Sequence, residues 1–171
     1  MSDEATPANE LLTPLERRIR MLLLIVFVGL IASGATTFAL ETEMKALATL
    51  IDGDSAVARW VARIRDALVD TNAKYPFLAY GTDWLAFAHL VIALAFLGPM
   101  YDPIKNSWVV DWGMIACIVL VPFALIAGHV RGIPMGWRLI DCCFGIAAFI
   151  PLWLCRRYIR ELESQPPASA A

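Results

Sequence analysis

Four stretches of this chain carry apolar residues on nearly every side, and they organise everything between them. Met21 to Leu40 holds no ionisable residue, and about 20 apolar residues at a 1.5 Å rise span the roughly 30 Å hydrocarbon layer of a bilayer. Trp84 to Pro99, Trp108 to Gly128 and Trp137 to Cys155 follow, each opening on a tryptophan, whose indole favours the membrane–water boundary. A core helix of a water-soluble protein would show a polar stripe, whereas these stretches are apolar on nearly all sides, with charges only near one end. The pattern predicts an all-α fold, a polytopic membrane four-helix bundle with helices at about 19–40, 82–99, 108–128 and 136–156.

The connection between the first two helices follows another rhythm. Val57, Val61, Ile64 and Leu68 recur at helical spacing while Arg59, Arg63, Asp66 and Asp70 repeat on another face, which predicts an amphipathic helix outside the membrane. A shorter helix is expected from Thr42 to Ile51, ended by Asp52-Gly53-Asp54, with Asp54 or Ser55 capping the next. The extramembrane helical segment covers about 42–73, and it reads as a cap on the helices, a rest on the lipid surface, or a partner-binding surface. Upstream, Thr13-Pro14-Leu15-Glu16 combines an N-cap threonine, proline at the first helical position and glutamate at the third, a capping box. Residues 13–160 form a single domain on this reading, between polar tails at 1–12 and 161–171 expected to be flexible. A cleavable signal is the alternative for the first stretch, since Arg17, Arg18 and Arg20 precede it and Ser33-Gly34-Ala35 offers a small-residue site, but the apolar run continues past that site.

Composition agrees with lipid as the solvent: 59% of the 171 residues are hydrophobic and 18% charged, against roughly 45–50% and about 25% in an average soluble domain. With 14 basic and 16 acidic residues the net charge is -2, which leaves no positive field for nucleic acid. Arg17, Arg18 and Arg20 before the first helix and Arg156, Arg157 and Arg160 after the last place both termini in the cytoplasm.

Ionisable groups within or beside the apolar stretches are then the best functional evidence, because such groups cost roughly 2.5–3.5 kcal/mol at a helix centre. Asp83, His89, His129, Arg131, Arg138 and Asp141 come from three segments and are expected to converge in the outer half of the membrane. They form either a lock in which Asp83 and Asp141 neutralise Arg131 and Arg138, or a hydrophilic pocket for an anion, a lipid headgroup or a proton, with the arginines as donors. Arg138 and Asp141 share a helix face that continues through Gly145 and Ala148 or Phe149 to Leu152, predicted to face inward. No cofactor is expected. Haem b held by His89 and His129 is the alternative, although the two lie at different depths.

On the inner side, Gly98-Pro99 and Asp102-Pro103 predict a defined turn. Asp102, Lys105 and Asp111 are its polar residues, Asp111 being expected to cap the third helix or pair with Lys105. Pro122 should bend that helix, and Gly29, Ser33 and Thr37 predict a small-residue packing ridge on the first. Cys117, Cys142, Cys143 and Cys155 have no zinc-site spacing and read as small apolar residues, a bridge from Cys117 to Cys142 or Cys143 staying open. Signatures such as GxSxG, a P-loop, a dinucleotide fingerprint or HExxH are missing, and Asp83 and His89 do not share a helix face as a base and its orienter would.

The segments Gly81-Thr82-Asp83-Trp84-Leu85-Ala86-Phe87-Ala88-His89, Asp102-Pro103-Ile104-Lys105-Asn106 and Arg131 to Cys142 resemble a family of small bacterial integral membrane proteins of uncharacterised function. The resemblance implies a bacterial cell membrane and no particular chemistry. The expected function is non-enzymatic binding of a partner or small polar ligand through the outer polar cluster. A haem-carrying or redox-associated subunit and a small transporter or channel component are the alternatives. The expected partners are the bilayer and another membrane protein or a second copy.

Overall fold

The computed structural model describes residues 13–51 and 53–164, so the 1–12 tail, Asp52 and 165–171 lie outside the described residues. Every regular element among the described residues is helical: α1 (Pro14–Phe38), α2 (Leu40–Leu50), α3 (Ala56–Lys74), a 3-10 turn (Pro76–Ala79), α4 (Tyr80–Ala95), α5 (Leu97–Tyr101), α6 (Ser107–Val130) and α7 (Met135–Glu163). Four segments, Pro14–Phe38, Pro76–Tyr101, Ser107–Val130 and Met135–Glu163, are long and apolar enough to cross a membrane. Only 17–22% of their apolar windows is buried within the protein, so most of that surface is left for lipid, as a multi-pass membrane protein requires.

The helix ends obey local chemistry. α1 opens on the expected capping box, with Glu16 N donating to Thr13 Oγ1 (3.2 Å) and Thr13 N to Glu16 Oε2 (2.8 Å). It therefore begins five residues before the apolar run suggested. Ser55 caps α3, its hydroxyl accepting from Ala58 N at 3.0 Å. α6 ends in a Schellman motif: Gly132 takes φ +70°, its N–H reaches the His129 carbonyl, and Ile133 N reaches the Gly128 carbonyl at 2.8 Å. The second membrane segment is divided at Phe96 into α4 and α5, and α7 runs seven residues beyond its expected end at 156.

The chain divides into two compact units, Met1–Phe27 with Leu94–Ala171, and Val28–Ala93. In the first, α6 and α7 form an antiparallel hairpin. Arg138, Cys142, Gly145, Phe149, Leu152 and Arg156 follow alternating steps of four and three along α7, the seam spacing of a left-handed helix pair. Their partners on α6 run the other way. A Cβ on Gly145 would lie 3.2 Å from the Cys117 carbonyl, and one on Gly113 would lie 3.0 Å from Leu152. On the face read from Arg138 and Asp141 toward Leu152, Gly145 and Leu152 are buried and Asp141 is half-buried, while the neighbouring Cys142, not placed on that face by its spacing, is buried. α6 continues through Pro122 as one helix. Leu15, Ile19, Leu23 and Val26 are the buried positions of α1 in this unit, and Arg18 lies 5.9 Å over the Tyr158 ring.

The α5–α6 turn is tied by side chains. Asn106 Nδ2 donates to the Gly98 and Asp102 carbonyls (3.1 and 3.0 Å), and Lys105 N donates to Asp102 Oδ1 (3.0 Å). These bonds fix the turn that the Gly-Pro and Asp-Pro pairs predicted.

In the second unit α2 and α3 pack together, joined by Asn72 Nδ2 donating to Glu41 Oε2 at 2.6 Å. Ala58 and Val61 are the buried positions of α3, whereas Val57, placed on the apolar face by its spacing, is exposed. The expected ridge of Gly29, Ser33 and Thr37 is corrected as well: a Cβ on Gly29 would meet nothing within 4 Å, and Ser33 is exposed. The close approach is at Gly34, where a Cβ would lie 3.0 Å from the Ala86 carbonyl oxygen and 3.3 Å from the His89 Cβ. The exposed rings of Tyr80, Trp84 and Phe87 stack edge to face along α4, as aromatic residues do in a membrane-boundary belt.

Candidate functional site

The six residues expected to converge are divided between the units. Asp83 and His89 belong to Val28–Ala93, while His129, Arg131, Arg138 and Asp141 belong to the other. Asp83 is exposed in the first turn of α4. His89 is half-buried, and its Nδ1 lies 2.8 Å from the Leu85 carbonyl of its own helix. His129 is exposed in the last turn of α6, inside the helix rather than after it.

The other four flank the α6–α7 turn. Arg131 is the residue after α6, exposed, with its backbone N–H bonded to Ala127. Arg138 reaches back across the turn from the first turn of α7, and its Nη1 donates to the Leu125 carbonyl at 3.1 Å. Gly128 makes this path possible, since a Cβ there would stand 2.5 Å from Arg138 Cδ and 2.6 Å from Cγ. A cation beside the carbonyl end of α6 is favoured by the helix dipole. Arg138 Nε is nonetheless buried without a hydrogen-bond partner among the described residues. Asp141 lies half-buried one turn further along α7.

The part of the expected lock that lies within one unit is not formed: among the described residues of that unit, no ion pair joins Asp141 to Arg131 or Arg138. One turn along a helix brings Arg138 and Asp141 onto a common face, but Arg138 extends back toward α6.

The partnered charge in this hairpin is elsewhere. Arg156 Nε stands 2.9 Å from Asp111 Oδ1 and Arg156 Nη1 stands 3.7 Å from Glu163 Oε1. This corrects two expectations, since Asp111 neither opens its helix, being its fifth residue, nor pairs with Lys105. The Arg156 side chain is 18% exposed against 42% for Asp111, so the carboxylate receives a guanidinium already largely removed from water. Asp111 lies two residues from Gly113, about 200° around α6 and off its seam, where Val109 and Val110 are the buried positions, so seam spacing does not indicate this pair.

Asp102 is held by the Lys105 backbone, and Lys105 itself is exposed. All four cysteines are free, and Cys142 Sγ lies 4.0 Å from the Val121 carbonyl across the hairpin. Among the described residues no three His, Cys, Asp or Glu side chains are grouped as metal ligands would be. The chain matches no protein-family model, no curated protein and no solved structure.

Proposed function

We propose that this chain is a non-enzymatic multi-pass protein of a bacterial cell membrane, with both ends of the chain in the cytoplasm. It recognises a carboxylate or phosphate, borne by a small polar ligand, a lipid headgroup or a partner protein, at the α6–α7 turn. The observation that carries this reading is the presence at one turn of two guanidinium groups, those of Arg131 and Arg138, with no carboxylate partner among the described residues. A guanidinium presents five donors in a planar fork suited to such anions. Arg138 gives one to Leu125 and keeps a buried Nε unpartnered, and an anion at the turn would offset the cost of that group. His129, exposed in the last turn of α6, stands two residues before Arg131 in the chain. The bacterial membrane is supported by the family likeness of Arg131 to Cys142, and the orientation by the arginines flanking the first and last spans.

The reading is tested by thermal unfolding of the detergent-solubilised chain against a panel of phosphates and carboxylates, since a ligand bound by the folded state raises the midpoint. At least one compound should raise it for the wild type and lose that effect in Arg131→Gln/Arg138→Gln. A shift that survives in the double variant, or no shift from any compound, overturns the reading.

A further inference from the structure

An open groove of about 370 Å³ lies between α6 and α7, with Ile118, Val121 and Pro122 of the one and Gly145, Ile146 and Phe149 of the other among its lining residues. Every residue that lines it is apolar, and Ile118 and Ile146 are exposed. Both helices are long and apolar enough to cross a membrane, so in a bilayer the groove faces hydrocarbon. It is in line with Arg138. Gly145 is two turns beyond Arg138 on the same face of α7, and Val121 is one turn before Leu125 on α6, whose carbonyl accepts from Arg138 Nη1 at 3.1 Å. By the helical rise, Gly145 and Phe149 stand about 10 and 16 Å from Arg138 along the axis, and one leaflet holds about 15 Å of hydrocarbon, half of the whole layer. An acyl chain hanging from a headgroup at Arg138 therefore reaches the groove with its terminal half. Ile126, Val130, Met135 and Leu139, at or near the turn, are exposed apolar side chains as well.

We infer, on the anion-binding reading of the α6–α7 turn, that its ligand is an anionic phospholipid, with the phosphate on Arg138 and one acyl chain in the groove. Beyond the Nη1 bond to Leu125, the guanidinium keeps further donors for a phosphate. Arg131 and Arg138 against Asp141 leave this end of the hairpin with a surplus of one cation, which favours an anionic headgroup over a zwitterionic one. A charged anchor and an apolar slot set about one leaflet's depth apart fit a lipid, whereas a soluble phosphate or carboxylate would use only the first.

Native mass spectrometry of the full chain in detergent tests the assignment, with dipalmitoylphosphatidylglycerol, dipalmitoylphosphatidylcholine and chainless glycerol phosphate as probes. The glycerol lipid should be retained in preference to the choline lipid, and about tenfold more weakly by Arg138→Gln, as expected for loss of a charge-assisted bond. Ile146→Trp, which fills the groove from an exposed position, should weaken retention about threefold, since packing rather than the hydrophobic effect holds a chain against a helix in lipid. Phe144→Trp, exposed on α7 but outside the groove, should leave it unchanged. Equal retention of the two lipids, or retention unaltered in Ile146→Trp, overturns the inference. Glycerol phosphate bound as tightly as the lipid overturns it too, while the anion-binding reading of the turn stands. That reading fails separately, where glycerol phosphate and the lipid are both indifferent to Arg131→Gln/Arg138→Gln. The Ile146 variant keeps the test decisive should Arg138→Gln fail to fold.

Discussion

Two glycines on one helix separate space from proximity. Gly34 stands where a Cβ would come within 3.0 Å of the Ala86 carbonyl oxygen, a backbone atom that cannot swing aside, whereas Gly29 looks onto open space. Gly34→Val should therefore destabilise the protein by about 1–3 kcal/mol through overpacking. Gly29→Ala should leave stability unchanged or raise it by up to about 1 kcal/mol, from better helix propensity. Thermal denaturation of both variants in one detergent checks the contrast. Glu41, outside the membrane segments, offers a second comparison. Its carboxylate accepts from Lys45 Nζ at 2.5 Å and from Asn72 Nδ2 at 2.6 Å, and these bonds, Lys45 foremost, hold its pKa below the ordinary 4.5. A depressed folded-state pKa adds stability that is fully present above 4.5 and is lost as pH falls through the lowered value. Lys45→Gln should move the Glu41 titration back up toward 4.5, read by NMR of its side chain.

Among elements, the hairpin of α6 and α7 is where sequence spacing and tertiary structure agree best. The face read from Arg138 and Asp141 to Leu152 finds the buried Gly145 and Leu152 because α7 still carries polar groups elsewhere, but it takes the half-buried Asp141 where packing uses Cys142. α1 offers no such contrast: its apolar run has no polar side to exclude, so spacing selected Gly29, Ser33 and Thr37 while packing uses Gly34. Val57 was misplaced for a related reason, since it lies in the first turn of α3, where a side chain at the right spacing has little structure to pack against. Charge pairing was the least legible feature. Asp111 has Lys105 six residues away and takes Arg156 forty-five away, a choice set by hairpin register and invisible to local rules. If that pair is engaged, Asp111→Asn or Arg156→Gln alone should cost about 1–3 kcal/mol. The double variant should cost less than the sum, and strict additivity in chemical denaturation would show the pair to be idle.

For the whole molecule, the division of polar groups between the two ends of the first unit has a topological consequence. Single cysteines at Arg17→Cys and Arg131→Cys, each in a background with the four free native cysteines replaced, should react with impermeant reagents from opposite sides of intact cells or inverted vesicles. Only the residue 131 thiol should label from outside. Labelling of both from one side would refute the proposed crossing pattern. The brevity of the Schellman turn also limits where α7 can begin. Four residues, 131–134, join α6 to α7, and even fully extended they reach only about 14 Å, less than half of the roughly 30 Å hydrocarbon thickness. With α6 across a bilayer, the start of α7 is therefore confined to the face at which α6 ends, which keeps Arg138 next to the Leu125 carbonyl that it bonds.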